Sequence, residues 1–142
     1  MKKIVILGGG TAGTMMSAKL SRALDLTEWE ITVVDQDNKH LYQPGLLFIP
    51  FGMYEPRDIA KPRDRFIPDG VRLFFGEIDR IAPDENKVWM KDDVVLDYDF
   101  LIIATGSRIV PEETEGMVEE AWYKSVFDFY TTEGATRLAD HL

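Results

Sequence analysis

Ile4-Val5-Ile6-Leu7-Gly8-Gly9-Gly10-Thr11-Ala12-Gly13 governs how the rest of the chain is read. An unbroken apolar run of this kind suits a strand covered on both faces of a parallel sheet, because no position in it is set aside for water. The glycines end the strand and fit Gly-x-Gly-x-x-Gly. Gly8 permits a tight turn, Gly10 lets the backbone approach a pyrophosphate closely, and Gly13 lets the following helix pack against the strand. From Thr11 to Leu24 an apolar stripe at helical spacing runs through Met15, Ala18, Leu20, Ala23 and Leu24, with small Ala12, Gly13 and Ser17 allowing close approach to a sheet. Glu30-Ile31-Thr32-Val33-Val34-Asp35 is β-branched and short, a second parallel strand that completes a βαβ unit.

The acid that closes this unit gives the glycines a purpose. Asp35 stands at the end of the second strand, 22 residues after Gly13, where a carboxylate can accept both ribose hydroxyls of an adenosine. The free N–H groups and positive dipole end of the first helix stabilise phosphate, with hydrogen bonds to charged groups contributing about 1.5–3 kcal/mol each. The candidate cofactor-binding residues are therefore Gly8, Gly10, Thr11, Ala12 and Gly13 in the turn, with Asp35 and the adjoining Gln36. A glycine turn used only for packing leaves Asp35 unexplained. A 2′-phosphate is disfavoured, since Asp35 repels it and Gln36-Asp37 supplies no arginine to bind it.

Composition narrows the classes that remain. At 142 residues the chain is about one domain's worth, with 45% hydrophobic and 29% charged residues, so a single core is expected rather than disorder. Lys and Arg number 16 against 25 Asp and Glu, and the resulting charge of −9 repels nucleic acid and anionic lipid. Cysteine is absent, which removes disulfides, thiolate metal sites and dithiol chemistry from this chain. The two histidines, His40 and His141, are far apart in sequence, so no metal site is expected. No apolar run approaches the roughly 18 residues of a spanning helix. Met1-Lys2-Lys3 precedes too few apolar residues for a secretory signal, and the reading is cytoplasmic.

Further along, Gln36 to Pro56 is rich in proline and aromatic residues and reads as a packed loop that covers something or awaits a partner. Arg57 to Ile67 fits a short helix interrupted at Pro62. Val71–Phe75, Ile78–Ile81, Lys87–Met90 and Val94–Tyr98 read as a small antiparallel meander, with turns at Pro83-Asp84-Glu85-Asn86 and Asp92-Asp93. Phe100-Leu101-Ile102-Ile103-Ala104 is again fully apolar and should return to the parallel sheet. Thr131 fits the cap of a last helix running to His141. Glu112, Glu113, Glu115, Glu119 and Glu120 read as a solvated segment, and no side chain stands out as a catalytic acid, base or nucleophile.

An N-terminal glycine turn, an inserted meander and Asp99-Phe100-Leu101-Ile102-Ile103-Ala104-Thr105-Gly106-Ser107 in that order resemble the flavoproteins of the pyridine nucleotide-disulfide oxidoreductase superfamily over residues 2 to 110. Within it, His40-Leu41-Tyr42-Gln43-Pro44-Gly45-Leu46-Leu47 resembles the loop of sulfide:quinone oxidoreductases, with type II NADH dehydrogenases as relatives. The resemblance implies an α/β fold, a Rossmann-like parallel sheet with a crossover helix and an inserted small antiparallel β-meander. It implies FAD as cofactor, with its adenine near Ile78, and Pro44 and Ala104-Thr105-Gly106 closing around it. It also implies that residues 1–142 are one FAD-binding domain from a longer two-domain flavoenzyme, peripheral on a membrane, in which sulfide and quinone are the partners. The chain alone is then expected to be inactive. Taken individually, His40 reads as a solvent-facing loop residue. If the chain is instead a structural remnant that folds but holds no ligand, Leu46, Phe48, Phe51 and Trp122 would form an exposed apolar patch that promotes self-association. A type II NADH:quinone dehydrogenase and a non-catalytic NAD- or FAD-binding module stay open as alternatives.

Overall fold

The computed structural model describes residues 1–142, which divide into two compact units, 1–40 with 62–106 and 41–61 with 107–142. In the first, strand β1 (Lys2–Leu7), helix α1 (Thr11–Ala23) and strand β2 (Trp29–Asp35) form the anticipated crossover. Two short strands, β3 (Lys39–Leu41) and β4 (Ala60–Pro62), are the stretches in which the chain leaves this unit and returns. Between them a single helical turn, α2 (Pro56–Ile59), is closed by a capping box in which the Glu55 and Asp58 side chains each take the other's backbone N–H. The expected helix over Arg57–Ile67 is thus broken up. Pro62 falls in β4, and Arg63–Phe66 is a separate 3-10 turn. A proline ring cannot sit inside a helix without clashing with the preceding turn.

Strands β5 (Arg72–Phe75), β6 (Ile78–Ala82), β7 (Lys87–Met90), β8 (Val95–Asp97) and β9 (Phe100–Ile103) follow. A parallel sheet runs in the order β5-β2-β1-β9, and β6-β7-β8 is an antiparallel meander. One expectation is corrected here. Val71–Phe75 does not belong to the meander; its strand pairs parallel to β2, placing Phe75 beside Asp35. The apolar character of a short run carries no direction, and the free edge of β2 decides its partner. β9 pairs parallel to β1 on the opposite side, as its sequence suggested.

The apolar runs of β1 and β2 are divided between two covering layers. Val5, Leu7 and Val34 face Val88 and Met90 of the meander, while Ile4, Ile6, Ile31 and Val33 face Met16, Leu20 and Leu24 of the α1 side. Neither face meets water, which explains the lack of alternation. Burying a side chain of this size contributes about 1.5–3 kcal/mol. The stripe on α1 is rotated relative to the expected one. Gly13, Met16, Ser17, Leu20 and Leu24 turn inward, whereas Met15 and Ala23 are exposed. Gly13 sets this phase, because the helix begins where it must touch β1.

The second unit is built mainly from turns, with a 3-10 segment at Gln43–Phe48, a π turn at Met117–Ala121 and helix α3 (Thr132–His141). Leu46, Ile49, Ile59 and Ala135 form its core. Thr131 caps α3 as anticipated, its Oγ1 accepting the Gly134 N–H at 2.9 Å. Behind that cap the buried Asp128 carboxylate accepts from the Tyr130 N–H at 2.9 Å, the Thr131 N–H at 2.7 Å and the Tyr123 hydroxyl at 2.9 Å. No helix is long and apolar enough to cross a membrane.

Candidate dinucleotide site

The carboxyl ends of β1, β2, β5 and β9 lie along one edge of the sheet, and the chain leaves β1 for β2 on one side and returns as β9 on the other. Ligands of open parallel sheets bind at such a reversal of strand order. Here a crevice of about 200 Å³ is lined by Gly8, Asp35, Gln36, Gly76, Ile78 and Thr105. Five of the anticipated cofactor residues therefore meet in one place, from four separate stretches of sequence.

The glycines act as their spacing implied. Gly8 has φ +96° and donates its N–H to Val34 O at 2.8 Å, and a Cβ on it would overlap the Ala104 carbonyl. A Cβ on Gly13 would overlap the Gly8 carbonyl, so the approach of α1 to β1 depends on its absence. Gly10 is different. Its φ of −72° is ordinary and a Cβ there would have no protein atom within 4 Å. Nothing in the chain requires glycine at Gly10, which fits a position reserved for close approach by a bound group. No side chain caps α1, and its first backbone bond runs from Thr14 N to Gly10 O at 3.0 Å. The amides of Thr11, Ala12 and Gly13 are thus the uncapped donors of a helix N-terminus, a ready anion site.

Asp35 is held from three sides. Oδ2 accepts the Gly9 N–H at 2.7 Å, Oδ1 accepts the Gln36 N–H at 2.8 Å, and Arg63 Nη2 lies 3.0 Å from Oδ1. Arg63 is the residue beside Asp35 that the sequence reading missed. Its side chain is only 7% exposed. It donates Nε–H to Asp37 O at 3.0 Å, Nη2–H to Lys39 O at 2.6 Å and Nη1–H to Gly9 O. An arginine does therefore stand beside Asp35, though not from Gln36-Asp37. Its donors go to oxygens of the chain itself rather than to an open position. The available signal was Gly9, a glycine that the motif does not demand, where a Cβ would lie 2.8 Å from Arg63 Cδ.

His40 also departs from its reading as a solvent-facing residue. It is half-buried, its ring lies 4.5 Å from that of Phe66, and Nδ1 is 3.3 Å from Gly9 O. Thr14 Oγ1 donates to the same carbonyl at 3.1 Å. The Gly9 peptide is thereby pinned by Arg63, His40 and Thr14 on its oxygen and by Asp35 on its nitrogen.

The remaining anticipated residues are distributed as follows. Ala104 donates its N–H to Leu7 O at 2.7 Å and passes under Gly8, and Gly106 adopts φ +75° just beyond Thr105. Pro44 belongs to the second unit, in the first turn of its 3-10 segment. Leu46, expected in an exposed patch, is instead 1% exposed and part of that unit's core, because it packs on Ile59 and Ala135. Phe48 and Phe51 are exposed, and Trp122 is half-buried. The glutamates from Glu112 to Glu120 are all exposed.

A βαβ crossover, a glycine turn under an uncapped helix and an acid closing β2 define a dinucleotide-binding fold. The chain belongs to the pyridine nucleotide-disulphide oxidoreductase family, whose model matches residues 2–140. It is 29% identical to the mitochondrial sulfide:quinone oxidoreductase of Dictyostelium discoideum over 135 residues, 95% of this chain and 30% of that protein. It is also 29% identical to the type II NADH:quinone oxidoreductase of Staphylococcus aureus over 122 residues, 85% of this chain and 30% of that protein. Among solved structures, the sulfide:quinone oxidoreductase of Aquifex aeolicus superposes with a TM-score of 0.80 at 22% identity, covering 99% of this chain and 31% of that one. The chain thus spans about 30% of the length of these relatives.

Proposed function

We propose that the chain is the FAD-binding portion of a flavin-dependent oxidoreductase of the sulfide:quinone type. The observation that carries this reading is the crevice at the reversal of strand order, lined by Gly8 and Asp35, with the uncapped N-terminus of α1 beginning at Gly10, two residues beyond Gly8 in the same glycine turn. On this reading the amides at Gly10 to Gly13 hold a pyrophosphate, Asp35 and Gln36 meet the adenosine ribose, and the backbone near Ile78 borders the adenine. The turn at Ala104, Thr105 and Gly106 serves the remainder of the cofactor. The flavin, when bound, supplies the electron transfer from sulfide to quinone. This chain's residues bind and orient it and contribute no acid, base or nucleophile.

Sulfide and quinone are partners of a longer two-domain parent, with a cytoplasmic or membrane-peripheral location, and residues 1–142 alone are inactive. The staphylococcal relative, equally identical, supports a second reading in which NADH is the electron donor. Adding FAD to the purified chain tests the cofactor. Retention of a flavin absorption band after gel filtration, reversed by excess ADP, is the expected result. A colourless chain whose melting temperature rises with NAD and not with FAD contradicts it. Sulfide against NADH as reductant of the longer parent separates the two donors.

A further inference from the structure

We infer that Arg63 is a positioning residue that makes Asp35 accept one ribose hydroxyl, on Oδ2, rather than two. The inference rests on the proposal that Asp35 meets an adenosine ribose. A carboxylate offers about four acceptor positions, two on each oxygen. On Oδ1 one is taken by the Gln36 N–H at 2.8 Å, and the Arg63 guanidinium is ion-paired to the same oxygen, with Nη2 at 3.0 Å on the side from which a second donor would approach. Oδ2 accepts only the Gly9 N–H, at 2.7 Å, and keeps one position.

The occupied oxygen stays occupied because Arg63 is not free to move. Its planar fork is fastened to the carbonyls of Asp37, Lys39 and Gly9, from two stretches of the chain, and its side chain is 7% exposed. Drawing Asp35 away toward a ligand would leave a buried cation short of its nearest anion, since the Asp37 carboxylate lies farther off at 3.5 Å and is itself mostly exposed. Gly9 gives independent support: a side chain at that position would press on Arg63 Cδ at 2.8 Å, so the turn is shaped to admit the arginine. Lysine could not replace it, because a single ammonium cannot reach three carbonyls and a carboxylate in one plane.

The consequence is an asymmetry between the two hydroxyls. Calorimetric titration of the 142-residue chain with ADP, 2′-deoxy-ADP and 3′-deoxy-ADP reads it directly. Losing the hydroxyl that meets Oδ2 is expected to weaken binding about tenfold, and losing the other less than about twofold, as for one hydrogen bond to a charged group against none. In Arg63→Lys, which frees the second oxygen, the two losses should converge. Gly9→Ala, which displaces the arginine while keeping it, should do the same. General loosening of the fold weakens all three ligands alike and leaves their ratio untouched. Equal losses in the unaltered chain, or an unchanged ratio in both variants that still bind ADP, overturn the inference. The unaltered chain decides the first point without any variant. Failure of that chain to bind ADP at all defeats the underlying reading of the site instead.

Discussion

In residues 1–40 with 62–106, order comes from strands whose apolar side chains are shared between two covering layers; in residues 41–61 with 107–142, it comes from turns, a four-residue apolar core and one buried carboxylate. The first arrangement is intolerant of added volume, because backbone passes against backbone at Gly8 and Gly13. The second is intolerant of lost polarity, because Asp128 gathers the donors of Tyr123, Tyr130 and Thr131. A binding turn that must hold its amides in fixed positions belongs to the first kind of construction, where the ladder leaves the peptide no room to drift.

The largest contrast should come from glycine. A Cβ at Gly13 meets a backbone carbonyl, whereas at Gly134 the nearest atoms belong to the Asp128 side chain. Gly13→Val should cost upward of about 3 kcal/mol, at or beyond the upper range for overpacked sites. Gly134→Ala should cost less, since its two closest contacts are with a carboxylate that can swing aside at the expense of its hydrogen bonds, leaving the Asp128 carbonyl at 2.6 Å as the backbone contact to be relieved. Urea midpoints from circular dichroism compare the two, and a greater loss at Gly134 breaks the contrast. Leu46→Ala comes next, at about 2–5 kcal/mol, as for a fully buried leucine. It sharpens the comparison if tryptophan fluorescence and circular dichroism then give separate unfolding transitions, because two cores rather than one are being probed.

The smallest effect is one of pH. Burial, with smaller contributions from the neighbouring Asp128, pushes the Tyr123 hydroxyl above its ordinary value of 10.0, although a hydrogen bond with Thr131 opposes this. The folded-state value is raised, so the stability associated with the protonated phenol is fully present below pH 10. It is lost as pH climbs through the folded value, because the unfolded chain ionises first. Tyr123→Phe should lose about 1 kcal/mol at pH 8 for the missing bond to Asp128. That deficit should shrink above pH 10. Urea midpoints between pH 8 and 11 check this, and a deficit that widens with pH contradicts it.

The same division explains what could be read from sequence. β1, α1, β2 and β9 were legible because a fully apolar run, a glycine triplet and a closing acid each follow from local geometry. The direction of β5 was not, since Leu73, Phe74 and Phe75 suit a meander or a parallel edge equally well, and only the open side of β2 settles it. Arg63 was hidden for a related reason: its role arises from contact with Gly9, 54 residues earlier, which no local pattern encodes. In the second unit Thr131 was visible as a cap, but the burial of Leu46 beside exposed Phe48 and Phe51 depends on Ala135, far along the chain.

Titration of the purified chain with ADP, beside its Asp35→Asn variant, tests most directly whether the helix amides and this acid hold the adenosine diphosphate end of a flavin. ADP should bind, compete with FAD and lose about 10- to 100-fold in affinity in the variant, the range for a hydrogen bond to a charged group. Equal affinity in both proteins, or FMN binding as tightly as FAD with ADP unable to compete, would contradict the assignment.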